Sequence, residues 1–144
     1  MPRRRPSPPA GLSAADYRAL ASYRQALRRF LHFSSEAARA EGLTQQQYQV
    51  LLALKAAPVR AGLTIGELAE TMRVRHHSAV GLVDRLARRN LLRRVADAAD
   101  RRRVRVRLTA AGEKTLGRLA ASHRNELRRL GPQLIRSLQS LGVG

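Results

Sequence analysis

Residues 103–108 read Arg-Val-Arg-Val-Arg-Leu, a strict two-residue alternation that an extended strand converts into one apolar and one cationic face. A lone strand is not stable, and the stretch 91–95 just upstream is near enough to pair with it antiparallel. Residues 96–102 then make the hairpin tip, with two Asp and two Arg. The chain before the hairpin has the other period. Thr64 and Glu67 are spaced as a capping box, followed by Ile65, Leu68, Ala69 and Met72 at helical intervals. A break at Arg73 and Val74 precedes Ala79, Val80, Val83, Leu86 and Ala87, which mark a second short helix. Two short helices joined by so tight a turn predict a helix-turn-helix, with small Ala69 allowing the close crossing. A helix-turn-helix running straight into a basic hairpin is a winged helix.

The flanks are helical too. Ser13 predicts an N-cap with Asp16 in the first turn, and Leu20, Tyr23, Leu27, Phe30, Leu31, Ala37 and Ala38 recur to about Ala40, where Gly42 ends the helix. Thr44 and Gln47 form another capping-box pattern ahead of Tyr48, Leu51, Leu52 and Leu54, and Pro58 closes that helix. After Thr109, a predicted N-cap, a stripe of Leu116, Leu119, His123, Leu127, Leu130, Leu134, Leu138 and Leu141 runs to the end. Gly131-Pro132 predicts a stop and a restart within it. The expected fold is therefore mainly α: a winged helix-turn-helix of three helices plus a β-hairpin wing, flanked by N- and C-terminal dimerisation helices. Residues 1–11 read as a disordered basic tail, 12–40 as the N-terminal dimerisation helix, 41–108 as the winged domain (wing about 91–108) and 109–144 as the C-terminal dimerisation helices. The outer stripes have no partner within a small winged domain, so a homodimer is expected.

Charge selects the partner. The chain carries 28 Lys+Arg against 10 Asp+Glu, a net +18 over 144 residues, which favours polyanions and nucleic acid first. Residues 73–107 hold twelve Arg and only Asp84, Asp97 and Asp100, so half the net charge sits in a quarter of the chain. All five aromatics (Tyr17, Tyr23, Phe30, Phe33, Tyr48) lie outside that stretch. Single-strand binders interleave aromatic platforms with basic residues, so double-stranded DNA is the expected target and RNA comes second. With no cysteine, thiol catalysis, disulfides and cysteine metal sites drop out. The longest purely apolar run is 50–54, far below a membrane span, and no apolar stretch follows the leading arginines as in a signal peptide. A cytoplasmic protein without membrane association is expected.

The residues at this point resemble the MarR family of transcription regulators over about 12–144. Leu63-Thr64-Ile65-Gly66-Glu67-Leu68-Ala69 opens the helix-turn-helix, and Leu82-Val83-Asp84-Arg85-Leu86 lies in the second helix. The wing run Asp97-Ala98-Ala99-Asp100-Arg101-Arg102, continuing through Val104, Val106, Leu108-Thr109 and Gly112, is the most specific part. The resemblance implies an obligate dimer on a palindromic operator, released by a small aromatic or anionic effector, and most often a repressor. This chain departs from many relatives at Val80 and Gly81, where Ser or Thr and Arg are common, so no operator can be carried over. The absence of Cys separates it from the peroxide-sensing branch.

The expected DNA contacts follow. Arg75, His76, His77 and Ser78 begin the recognition helix, and Arg at such a position can read guanine O6 and N7. Gly81 lets the helix sit close to DNA, while Arg85, Arg88 and Arg89 lie farther along, toward phosphate. In the wing, Arg101 and Arg102 reach the minor groove. The resemblance points to Arg102 as the inserted residue, positioned by Asp100. Arg103, Arg105 and Arg107 meet phosphate or solvent. His76 and His77 point about 100° apart with no carboxylate at i+4, so no metal site is expected. Phe30, His32, Phe33 and Tyr48 form a candidate effector pocket, although core or dimer packing is the better account of each aromatic. His123, on an apolar stripe, reads as a packed residue. No phosphate-binding Gly loop, acid pair or nucleophile-base set is recognisable, so neither enzymatic activity nor a cofactor is expected. The competing reading is a ligand-independent nucleoid-type or RNA-binding winged-helix protein of little sequence specificity.

Overall fold

The computed structural model describes residues 11–58 and 61–144. The basic tail expected at 1–11 therefore lies outside the described residues except for Gly11. The elements run α1 (Ala14–Ala40), α2 (Gln45–Ala56), β1 (Leu63–Thr64), α3 (Ile65–Met72), α4 (His76–Arg88), β2 (Leu92–Ala96), β3 (Val104–Leu108) and α5 (Ala110–Ser140). The expected mainly helical winged helix-turn-helix is what forms. Contacts divide the chain into two compact units, one comprising residues up to Leu31 with Glu126–Gly144, the other His32–Asn125.

Short-range hydrogen bonds set most helix ends. Thr44 and Thr64 each accept from the amide three residues on, and Gln47 and Glu67 return bonds to the cap amides, closing two capping boxes. Ser13 and Asp16 exchange the same pair of bonds at the start of α1. Thr109 Oγ1 accepts from the Gly112 amide and caps α5. At the C-terminus of α1, Gly42 takes a left-handed φ of 71°, with Leu43 N–H reaching Ala38 O and Gly42 N–H reaching Arg39 O. This double closure is a Schellman motif. It recurs at Arg73 and Asn90 after α3 and α4, and the Arg73 case places a β-carbon at φ 52° where glycine is favoured.

The His32–Asn125 unit has one apolar core. Val50, Leu51 and Leu54 of α2, Leu68 of α3, and Leu82, Val83 and Leu86 of α4 meet Leu92 and Val106 of the sheet and Leu116 and Leu119 of α5. Leu51, Leu68, Leu86, Leu92, Val50, Val83 and Val106 are fully enclosed, each worth roughly 1.5–3 kcal/mol of burial. The sheet has order β1-β3-β2, all antiparallel. Its hairpin register pairs Leu92 with Leu108 and Ala96 with Val104, and β1 adds Leu63 opposite Val106. That two-residue strand has too little length to show a period, and only its pairing with β3 reveals it.

In the other unit Ala19, Ala26, Leu130 and Ser137 are buried, and the Gln133 amide donates to Ser22 O, Ser22 Oγ and Gln25 Oε1. Leu12, Tyr17, Leu20, Leu31, Leu127, Ile135 and Leu138 remain exposed. The predicted break at Gly131-Pro132 does not occur: α5 is continuous through Pro132. Proline's fixed φ suits a helix, and Gly131 keeps an ordinary helical φ rather than the left-handed one that ends α1. What is lost is the N–H that would have met the carbonyl of Arg128, whose side chain is solvent-exposed.

Candidate nucleic-acid interface

Helix α4 begins at a cap that cannot accept a side-chain bond, Arg75, in extended backbone geometry. Its first residues are therefore free to turn outward, and Arg75, His76, His77 and Ser78 are all exposed. Ala79, Leu82, Val83 and Leu86 bury the opposite face. A β-carbon at Gly81 would meet no atom within 4 Å, so the outer surface of the helix is open one turn on. Arg85 and Arg88 extend the same exposed cationic edge.

Arg89 does not join that edge. Its guanidinium donates to Glu41 O and Gly42 O, the free carbonyls at the end of α1, rather than standing available for phosphate. Glu41 is in turn held by Arg118, whose Nε and Nη2 lie 2.9 and 3.0 Å from its two oxygens. These bonds, ahead of the opposing effect of burial, hold the Glu41 carboxyl below the usual carboxylate range. A chain of Arg89, Glu41 and Arg118 thereby links the end of α4 to the α1–α2 junction and to α5.

The wing tip is built by its own aspartates. Asp97 N–H donates to Arg103 O at 3.0 Å, and Asp97 Oδ1 accepts from Ala99 N–H at 3.1 Å. Asp100 Oδ1 accepts the backbone N–H of Arg102 at 3.0 Å and stands 3.8 Å from its Nε. Asp100 thus positions Arg102 through the main chain, with the ion pair secondary. The Arg102 side chain is 95% exposed, and Arg101 and Arg103 are exposed beside it. Asp84 pairs with Arg94, tying α4 to β2. Arg93 and Arg107 lie directly opposite each other across the hairpin and both reach solvent. Like charges at such a position repel, an arrangement that a bound polyanion would relieve.

Arg105 departs from the phosphate-or-solvent expectation. Its side chain is 17% exposed and lies between Glu67 and Asp97, donating to Gly62 O at 3.1 Å. The strand alternation places it on the arginine face, but carboxylates from elsewhere in the chain occupy that end of the face. The three acids within 73–107 each engage an arginine of the segment, and Arg73, Arg75, Arg85, Arg88, Arg93, Arg101, Arg103 and Arg107 remain exposed.

The candidate effector residues divide. Phe33 and Tyr48 come together on His123, the Tyr48 ring stacked at 4.2 Å and Phe33 edge-on at 5.4 Å. His123 Nδ1 faces Leu119 O at 2.7 Å, so that nitrogen carries the proton, and Nε2 is 2.8 Å from Ser34 Oγ. Tyr48 is buried, which raises the pKa of its hydroxyl. His32 points to solvent, and Phe30 belongs to the other unit. Sequence reasoning missed the central place of His123 among these rings; its position on the Leu119–Leu127 stripe was the available signal.

Residues 41–103 match the sequence profile of the MarR family. The transcriptional activatory protein BadR of Rhodopseudomonas palustris is 38% identical over 78 residues, a match covering 54% of this chain and 45% of BadR. The chain thus spans less than half the length of that relative. Among solved structures, AbsC, a MarR family transcriptional regulator from Streptomyces coelicolor, superposes with a TM-score of 0.69 at 21% identity, over 92% of this chain and 95% of AbsC. CouR from Rhodococcus jostii RHA1, solved with p-coumaroyl-CoA bound, gives 0.69 at 25% identity, over 90% and 95%. No helix among the described residues is long and apolar enough to cross a membrane. By its profile match over residues 41–103 and a fold shared over most of its length, the chain resembles the MarR family of transcriptional regulators.

Proposed function

We propose that this regulator binds a palindromic double-stranded operator as a homodimer and represses by occupying promoter DNA. The observation carrying this reading is the exposed cationic surface formed by the first turn of α4 and the wing tip, which has no Phe, Tyr or Trp for base stacking. In this arrangement Arg75, His77 and Ser78 face base edges in the major groove, with His76 at their side, and Gly81 permits close approach. Arg85 and Arg88 meet phosphate, and Arg101, Arg102 and Arg103 enter or flank the adjacent minor groove. The second copy covers Leu12, Tyr17, Leu20, Ile135 and Leu138, whose exposure in one chain is otherwise costly. CouR was solved with an aromatic, anionic thioester, and a ligand of that broad class is the effector proposed here, reached beside Phe33 and Tyr48.

The test is a fluorescence-anisotropy titration at near-physiological salt against the DNA upstream of the protein's own gene, with a scrambled duplex as control. A preference of roughly 10³ or more supports a specific regulator. Equal binding to any duplex supports the nucleoid-type reading. BadR is named for activation, so a promoter-reporter fusion decides the sign, and rising output with added protein would overturn repression.

A further inference from the structure

The wing arginines look interchangeable in sequence, but one of them is enclosed. Arg105 Nη1 donates to Gly62 O at 3.1 Å and lies 3.8 Å from Glu67 Oε2, while its Nε lies 3.5 Å from Asp97 Oδ1. Each partner already has a structural task. Glu67 Oε2 accepts the Thr64 amide in the capping box that starts α3. Asp97 Oδ1 accepts the Ala99 amide at the wing tip, and its side chain is only 10% exposed. Gly62 precedes β1, where any β-carbon would run into Val106 O. One guanidinium thus joins the start of the helix-turn-helix, the base of the wing tip and the strand that closes the sheet. It also stands within 4 Å of both carboxylates.

We infer that Arg105 is a positioning residue that locks the wing in register with the helix-turn-helix, and that it is not itself a phosphate contact. The inference rests on the DNA-binding reading above for its consequence, but not for its structural content. A planar fork suits the task, since one group bonds the carbonyl and lies between both acids at once. A lysine could satisfy one partner at a time.

The test uses the full chain with Arg105→Met, which keeps apolar bulk and removes the fork, and Arg103→Ala as the exposed neighbour. The first readout needs no DNA: amide hydrogen exchange in the free protein. Peptides covering 95–105 should exchange at least tenfold faster in Arg105→Met, while those of α4 stay unchanged. Unchanged exchange across the wing would overturn the inference whatever the protein binds. The second readout is affinity for the operator duplex against salt, with hydroxyl-radical footprinting. Removing a phosphate contact from each of two protomers flattens the log–log salt slope by roughly 1.8, the result expected for Arg103→Ala. Arg105→Met should instead leave the slope within about 0.5, lose protection at the outer minor-groove positions and keep protection under α4. A slope change matching Arg103→Ala with the footprint intact would make Arg105 a direct contact and refute the inference. If Arg105→Met fails to fold, Glu67→Gln takes its place, because glutamine at that position still completes the capping box. Faster exchange confined to the wing is then expected, and wild-type exchange would refute the inference. Failure of the wild type itself to prefer any duplex would count against the operator reading alone.

Discussion

Replacing Gly112 with alanine tests how closely the start of α5 is seated on the α4–β2 junction. A β-carbon at Gly112 would stand 1.9 Å from Leu91 O and 2.9 Å from Leu91 C, both backbone atoms. A carbon–oxygen contact relaxes only at roughly 3.3 Å, so helix or strand must move by about 1.4 Å. Little there can yield. Leu91 O already accepts the Thr109 amide at 3.2 Å, and Thr109 Oγ1 donates to Asn90 O at 2.6 Å while accepting from Gly112. A shift of that size breaks one or two of these bonds at about 1 kcal/mol each and adds roughly 1–3 kcal/mol of overpacking. Alanine's better helix propensity returns about 1 kcal/mol. The expected net loss is about 1–4 kcal/mol. At Gly117, in the same helix, a β-carbon would meet no atom within 4 Å, so Gly117→Ala should stabilise by about 0.5–1 kcal/mol. Urea unfolding followed by circular dichroism, at one fixed protomer concentration, reads both. An unchanged or raised midpoint for Gly112→Ala would refute the argument from close approach, and opposite signs for the two glycines would support it.

Other expectations follow from single features. Arg73 holds a left-handed φ of 52° in a helix-ending motif that favours glycine, so Arg73→Gly should raise stability by about 0.5–1 kcal/mol; a lower urea midpoint would contradict this. Arg102→Ala should weaken operator binding by about 1–3 kcal/mol while sedimentation shows the same assembly as wild type, and unchanged affinity would remove the wing tip from the interface. The Glu41 carboxyl titrates lower in the folded chain because Arg118 hydrogen-bonds it, so its contribution is complete above the ordinary glutamate value of about 4.3 and fades as pH falls through the folded value. Glu41→Gln should therefore lose stability at pH 7, the gap to wild type should narrow as pH falls below the ordinary glutamate value, and a gap independent of pH would exclude the ion pair as its cause.

How much was legible follows from the range of the forces involved. The caps at Ser13, Thr44, Thr64 and Thr109 involve partners three residues away, and their residue types announce them. The hairpin was equally readable, because alternation exposes a strand and the register follows once Leu92, Val106 and Leu108 must share the core. Gly131-Pro132 shows where local rules overreach: both residues can sit in a helix, and the continuous apolar stripe outweighs one missing N–H. Strand β1 was invisible for the opposite reason, since two residues acquire strand character only from the neighbour they pair with.

The cationic surface shows the same division. Sequence alone determined that residues 73–107 carry twelve arginines and three acids, and that Phe, Tyr and Trp are missing from them. It also set the sign of the charge that a partner would meet, because net charge is a sum that folding leaves intact. Which guanidiniums face that partner was decided by the tertiary structure. Arg89 is taken by carbonyls 47 and 48 residues away, and Arg105 by Gly62 O and Glu67, which reach it only when β1 and α3 pack against the wing. An arginine's role depends on the nearest acceptor in space, and chain folding, not sequence spacing, brings that acceptor within reach.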